Sequence, residues 1–271
     1  MRRIRQSACL LLLLITAASM AATLVAPWDY QSQERESPNA PPSAAHLLGT
    51  DALGRDRFSR LLYGTRVSLL LAPAAALVAT AAAALIGGVA GFMGGLWQRA
   101  TMLLIDLFLS LPWLFLLLTA RAVLPLNVSP LTSVVVTFLT LGLLGWAASA
   151  RVLCAGAAAL VRSEFVLQAK AAGIGGPRLL VRHVLPNLAP TLLAQFWISI
   201  PVFILAEANL GILGLGVAEP LPSWGSLLRE LQDFASSASL SSEPWKLASL
   251  LLLVAVVTSF QLLLSRHEVT A

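Results

Sequence analysis

Two acidic side chains, Asp106 and Glu207, stand within long apolar stretches of this sequence. A carboxylate at the centre of a bilayer costs roughly 2.5–3.5 kcal/mol or more, so each acid is expected to face other helices or a cavity. Two interpretations are open for both acids. One is lining or gating a path for a solute, and the other is a structural hydrogen bond between helices.

No set of residues in the sequence is typical of an enzyme. His46, His183 and His267 lie far apart, and their spacing does not suit a metal site. The glycine-rich stretches lack the GxxxxGK[ST] pattern of a nucleotide-binding loop. We therefore predict a non-catalytic chain with no catalytic residue, no metal and no cofactor of its own. The two cysteines, Cys9 and Cys154, are interpreted as buried spectators.

The composition indicates a membrane protein. The chain has 271 residues, of which 58% are hydrophobic and 11% are charged, whereas soluble domains carry about 25% charged residues. The apolar runs are continuous rather than alternating, which favours helices over a barrel. We predict an all-α integral membrane protein.

Six apolar runs are long enough to span a bilayer, and an even number places both termini on one side. The basic N-terminus favours the cytoplasm for that side. The first run is either a retained helix, the reading we adopt, or part of a cleaved signal peptide. The predicted spans are 8–26, 67–89, 100–120, 131–150, 190–210 and 245–264.

Two segments between these runs are predicted to lie outside the cell. Segment 27–66 reads as an extended loop that ends in a short interfacial helix at 58–63. With the first span it forms an N-terminal part, 1–66, ahead of a core part, 67–271. Segment 211–244 is rich in Gly, Pro and Ser. Its Trp224 loop is predicted to be a docking or gate-covering surface, and an ordinary interfacial tryptophan is the alternative.

The polar, basic segment 162–190 interrupts the apolar runs on the cytoplasmic side. Helical spacing begins at Glu164 and stops at Gly173, and Pro177 suits the first turn of a second helix. That second helix is predicted to end near Pro186. From spacing alone, the segment fits either a protein partner or a surface of anionic lipid.

The stretch AKAAGIGGPRLLVRHVLPN resembles the cytoplasmic EAA loop of ABC importer permeases. Gly173 and Leu185-Pro186 match the family spacing, whereas Leu167 and Gln168 stand where Glu and Ala are usual. The resemblance implies that the loop docks on a cytoplasmic ATPase. The residues it assigns to this ATPase-coupling loop are Gln168, Ala169, Lys170, Ala172, Gly173, Pro177 and Pro186.

Three further stretches resemble the dipeptide, oligopeptide and nickel permeases of the DppC/OppC type. They are HLLGTDALGRDRFSRLLYGTRVSL, LLIDLFLSLPWLFLL and ILAEANLGILGLGVAEPLPSWGSLL. After Phe260 the sequence departs from the pattern of that branch. The resemblance implies a six-helix, type I, MetI-like permease of the bacterial inner membrane. It would form half of a path for short peptides or nickel. Asp106, Glu207 and Trp224 are the candidates for the path or its gate, and the structural interpretations given above are the alternatives.

The same resemblance implies the partners. They are a homologous permease, two cytoplasmic ABC ATPases that use the ATP, an extracytoplasmic solute-binding protein and membrane lipid, with no nucleic acid. Two other functions are weighed against this one. A self-sufficient secondary transporter would need inverted repeats and ion-coordinating acids, and a membrane scaffold would anchor a partner without transporting anything.

Overall fold

The computed structural model of the chain describes residues 2–123, 129–235 and 243–264. Among these residues the only β pairing is one antiparallel bridge, between Thr50 and Asp56. The helices are α1 (Arg2–Met20), α2 (Ala22–Val25), α3 (Arg57–Ala83), α4 (Val89–Met93), α5 (Gly95–Ser110), α6 (Trp113–Val123), α7 (Pro130–Leu144), α8 (Trp146–Val161), α9 (Glu164–Ala171), α10 (Gly176–Leu179), α11 (Leu185–Ile212), α12 (Trp224–Ala235) and α13 (Ala248–Leu264). Two π-helical turns, Ala84–Gly88 and Leu180–Val184, and one 3-10 turn, Pro244–Leu247, join them. Residues 265–271, which include His267 and part of the C-terminal stretch that differs from the family pattern, lie outside the described residues.

Several helical runs are long and apolar enough to cross a bilayer, which confirms the all-α membrane class. A bent pair, α5 with α6, brings the candidate spans from five to six. The five unbroken runs in the described residues are Arg3–Met20, Arg57–Met93, Pro130–Val161, Gly176–Ile212 and Pro244–Leu264.

The second span begins earlier than the sequence predicts. No separate interfacial helix exists at 58–63, because these residues form the first turns of α3, which begins at Arg57. Pro73 lies inside α3 without ending it. The predicted boundary was wrong because Arg57 and Arg60 look like surface residues, whereas both are ion-paired in the fold.

The third span is broken rather than straight. Helices α5 and α6 meet at an angle of 85°. Leu111 between them is extended, with φ −77° and ψ 133°, the conformation that a following proline favours. Pro112 therefore separates two helices where the sequence pattern predicts one.

The fourth and fifth spans are longer than predicted. The fourth runs on to Val161, so Arg151 lies within α8 and does not end the span. The fifth begins at Gly176 and passes through Pro186, so the predicted helix end there is wrong. The π-helical turn Leu180–Val184 ends two residues before this proline and contains Arg182, whose carbonyl the ring of Pro186 would meet in a regular α-helix.

The chain forms two compact units. Unit 1 comprises Met1–Ala72, Arg121–Phe138 and Pro201–Ala271, and unit 2 comprises Pro73–Ala120 and Leu139–Ile200. In unit 1, α1 and α12 both pack against α13. Its buried apolar side chains include Leu69, Phe203, Ile204, Leu210, Trp224 and Val256.

Unit 2 is held together by small and branched side chains around α8. A first cluster joins α3, α5 and α8, and a second joins α8 to the segment that follows it. Alanines let these helices approach closely, so van der Waals contact replaces a hydrophobic driving force within the bilayer. The first cluster consists of Ala83, Ile105, Ala147, Ala150 and Leu153.

Ile105 provides a test of this packing, because its side chain has no exposed surface, whereas Leu103 on the same helix is 71% exposed. We expect Ile105→Ala to destabilise unit 2 by about 2 kcal/mol through the cavity that it leaves. Leu103→Ala should have little effect. The apparent melting temperature of the detergent-solubilised protein measures both, and equal shifts would contradict the packing described here.

Candidate functional site

The predicted coupling loop is built around a helix stop at Gly173. Helix α9 ends as a Schellman motif, in which Ile174 N–H donates to Ala169 O at 3.2 Å and Gly173 N–H donates to Lys170 O at 3.1 Å. Gly173 has φ +82°, a conformation that strains any residue with a Cβ. The predicted stop of the first helix is therefore confirmed, together with its cause.

The coupling-loop residues form an exposed surface. Of the seven predicted residues only Ala169 is half-buried, and the other six are exposed. Phe165 and Leu167 beside them are 41% and 51% exposed. Basic side chains also surround this surface; they are Arg162, Lys170, Arg178 and Arg182.

The coupling loop is anchored to two of the spans. Val166 of α9 and Leu179 of α10 are buried in one cluster with Ala157 of α8 and Leu188 of α11. Ala169 and Ile174 pack against the same cluster. Helix α9 therefore packs directly against α8 and α11.

Asp106 forms an ion pair between two spans of unit 2. Its Oδ1 accepts a hydrogen bond from Nη2 of Arg151, and both side chains are about half-exposed, at 55% and 45%. This pair supports the interpretation of Asp106 as one side of a structural contact between helices, with Arg151 of α8 as its partner. Sequence reasoning missed Arg151, which it placed at the end of the span.

Glu207 is fully buried in unit 1. Its Oε1 accepts a hydrogen bond from Ser223 Oγ at 2.6 Å, and the backbone N–H of Gly225 donates to the same carboxylate. Its Oε2 has no hydrogen-bond partner among the described residues. A Cβ on Gly211 would lie 2.3 Å from Gly225 Cα, so only glycine allows this close approach of α11 and α12.

Trp224 begins helix α12, so the predicted loop at this position is wrong. Its side chain has no exposed surface, and Nε1 donates to Thr65 Oγ1 at 3.0 Å. A docking surface formed by the tryptophan ring is excluded by this burial. The residue instead fastens α12 to α3 within unit 1.

A group of paired charges at the start of α3, of which Asp51, Arg55 and Arg60 are buried, was not predicted as a unit. We call it the ion network. Arg60, which has no exposed surface, donates from Nη2 to Glu219 Oε1 at 3.0 Å and to Glu230 Oε1 at 2.9 Å. Arg55 donates to Asp51 Oδ2 at 2.6 Å and to Glu219 Oε2 at 2.7 Å. The members are Asp51, Arg55, Arg57, Arg60, Glu219 and Glu230.

The ion network contains two groups with a shifted pKa, Arg55 and Glu230. Burial raises the pKa of Glu230, and the charge of Arg60 opposes this without cancelling it. Burial lowers the pKa of Arg55, but the hydrogen bond to Asp51 and the charge of Glu219 outweigh it, so the net shift is upward. Local sequence does not reveal this network, because Glu219 and Glu230 lie 159 and 170 residues after Arg60.

His46 lies in a second buried polar group in segment 27–66. Its Nδ1 is 2.9 Å from Asp56 Oδ1, and its Nε2 is 2.9 Å from Glu34 Oε2. The ring stacks on Trp28 with a centroid distance of 5.3 Å. Burial lowers the pKa of His46, but the hydrogen bonds to Asp56 and Glu34 outweigh it and leave the pKa raised.

These features define a multi-pass helical membrane protein with an exposed, anchored helix and turn between its fourth and fifth spans. Residues 83–267 match the family described as "Binding-protein-dependent transport system inner membrane component". The chain belongs to this family, and the predicted permease class is confirmed.

Three relatives illustrate the similarity. The oligopeptide transport system permease protein OppC of Bacillus subtilis (strain 168) is 31% identical over 88% of this chain and 74% of its own length. The di/tripeptide permease DppC of Pseudomonas aeruginosa (strain UCBPP-PA14) is 34% identical, over 84% and 76%. OppC of Mycobacterium tuberculosis (strain H37Rv) is 31% identical, over 92% and 83%.

Substitution of Arg60 tests how much the ion network contributes to the stability of the fold. Arg60→Met removes the fully buried partner of Glu219 and Glu230 and leaves these acids only their pairs with Arg55 and Arg57, so we expect a destabilisation of about 3 kcal/mol. Adding Glu230→Gln should recover part of it, because the excess of buried negative charge is removed. Arg35→Met, at an exposed position in the same segment, is the control. Melting temperatures that match for Arg60→Met and Arg35→Met would contradict the assignment.

The raised pKa of His46 predicts a pH-dependent stability with a definite sign. The protonated ring, held by Glu34 and Asp56, contributes stability below about pH 6.5, the ordinary histidine pKa. This contribution is lost as the pH rises through the raised folded pKa. The apparent melting temperature, scanned from about pH 6 to pH 9, should fall with rising pH. His46→Gln should flatten that fall, and an unchanged slope would argue against the ion pairs.

Proposed function

We propose that the chain is one permease subunit of an ATP-driven ABC importer for short peptides. The observation that carries this proposal is the exposed coupling surface. It is anchored by a buried apolar cluster that also includes Ala157 of α8 and Leu188 of α11. The relatives quoted above are named for oligopeptides and for di- and tripeptides, which favours peptides over nickel as cargo.

The coupling surface fits a protein partner better than a lipid surface. Small residues at 169, 171, 172 and 173 leave room for a partner's side chains. Gly173, Gly175 and Gly176 have open space where a Cβ would lie. Phe165 and Leu167 offer apolar area that water solvates poorly. We therefore propose docking in a cleft of a cytoplasmic ATPase, with both termini of this chain in the cytoplasm.

The proposed import cycle uses the anchor of α9. ATP-driven closure of two partner ATPases would move the docked helix, and the buried contacts with Ala157 and Leu188 would carry that movement into α8 and α11. A difference in ATPase affinity between inward- and outward-open states would shift their populations. This chain would supply coupling and half of the path, and a homologous permease and a solute-binding protein would complete the importer.

Asp106 and Arg151 support a path-lining or subunit-facing surface on unit 2. Asp106 lies roughly 16 Å along α5 from its start at Gly95, and Arg151 lies roughly 15 Å along α8 from its end at Val161, within a hydrocarbon core about 30 Å thick. Half-exposed charges at that depth are unfavourable in lipid. We therefore propose that this face contacts the partner permease or a water-filled path.

Ala172→Trp tests the docking directly, because this residue is exposed at the turn. The indole should block the partner cleft, so we expect a loss of about tenfold or more in transport-coupled ATPase activity. Ala44→Trp, at an exposed alanine in segment 27–66, is the matched control and should retain coupling. ATPase activity and peptide uptake are measured in proteoliposomes that contain the assembled importer. Full coupling in Ala172→Trp would refute the docking surface.

A further inference from the structure

Unit 1 contains an open cavity of about 640 Å³ beside the ion network. Its walls come from segment 39–57, from Arg121 in α6, from the turn at 214–219 and from the first half of α12. Small-ligand sites occupy roughly 300–1,000 Å³. The size admits a short peptide, and the charges on the wall determine which group of the ligand is recognised.

Arg121 enters this wall as a buried and incompletely bonded cation. The residue is 2% exposed, and its Nε donates to Leu215 O at 2.9 Å while Nη2 donates to Ser133 Oγ at 3.0 Å. Its Nη1 is buried and has no hydrogen-bond partner among the described residues. A buried donor without an acceptor is unfavourable, so a rotation of this guanidinium that brought Nη1 to an acceptor in the cavity would be favourable.

Arg229 approaches the same glycine-rich turn from α12. A Cβ on Gly214 would lie 2.7 Å from Nη1 of Arg229, so the guanidinium covers this glycine. Arg121 and Arg229 therefore both contact the glycine-rich turn 214–216, and both line the cavity.

The remaining charges of the wall neutralise one another. Glu219 pairs with Arg55 and Arg60, and Glu230 pairs with Arg60 and lies near Arg57. Arg121 and Arg229 lie outside these pairs, and the lining has an excess of positive charge at the glycine-rich turn. The charged lining residues are Asp51, Arg55, Arg57, Arg121, Glu219, Arg229 and Glu230.

We propose that this cavity binds a short peptide through its carboxylate, with Arg121 and Arg229 as the residues that recognise the anion. A carboxylate accepts charge-assisted hydrogen bonds from guanidinium groups and would satisfy Nη1 of Arg121. The inference rests on the proposed peptide-import function and deepens it, because it assigns a substrate subsite to the permease itself.

The experiment uses the assembled importer in nanodiscs, without the binding protein. Leu53→Cys, in the cavity wall and 52% exposed, is combined with Cys9→Ala, and the new thiol is labelled with a membrane-impermeant maleimide. Tri-alanine should slow the labelling, and tri-alanine C-terminal amide should need about tenfold more peptide for the same effect. Arg229→Gln should remove this preference. Arg35→Gln, at an exposed arginine outside the cavity wall, should keep it.

Arg121→Gln should remove the preference as well, and Arg229→Gln retains the test if the Arg121 variant fails to assemble. Equal protection by the acid and the amide, or no protection by either, overturns the carboxylate site. Retention of the preference in Arg229→Gln overturns the assignment of that residue. Uptake of tri-alanine by the complete importer is measured separately. Uptake without carboxylate-dependent protection rejects this inference alone, and absence of uptake alongside such protection rejects the proposed import function alone.

Discussion

Burial of Arg60 without any exposed surface constrains much of unit 1. A buried guanidinium is tolerated only when carboxylates surround it, since an unpaired charge there costs several kcal/mol. Asp51 comes from the segment before α3, Glu219 from the turn after α11, and Glu230 from α12. Arg60 therefore pairs with carboxylates from three separate segments of the chain. The same three segments form walls of the neighbouring cavity.

Prolines and glycines determine where the helices of this chain continue and where they stop. Pro112, preceded by an extended Leu111, separates α5 from α6, whereas Pro186 follows a π-helical turn and is accommodated within one long run. Gly173 stops α9 because its positive φ closes a Schellman motif. The effect of each residue depends on whether the neighbouring backbone can adjust, which residue type alone does not reveal.

The spans and the helix stop at Gly173 were predictable, because hydropathy and a left-handed glycine are local properties of the sequence. The start of α3 was not, because Arg60 acquires its role from Glu219, 159 residues further along the chain. Trp224 was misplaced in a loop for a related reason. Its position in α12 depends on Thr65 and on the contact of Gly225 with Gly211, neither of which is visible locally. The pair of Asp106 with Arg151 was likewise not predicted, because the fourth span was expected to end before Arg151, whereas α8 continues to Val161.

Leu167 bears on how the coupling loop would bind an ATPase. It stands where the family pattern has an acid, and the structure leaves it 51% exposed beside Phe165. An acid at this position would contribute an ion pair that salt screens, whereas leucine contributes apolar area to a docked interface. Val166 between them is fully buried in the anchoring cluster, so the two exposed neighbours are held rigidly. If the loop docks as proposed, apolar contacts would contribute more than ion pairs to ATPase binding at this position. The basic side chains around the loop would orient the partner.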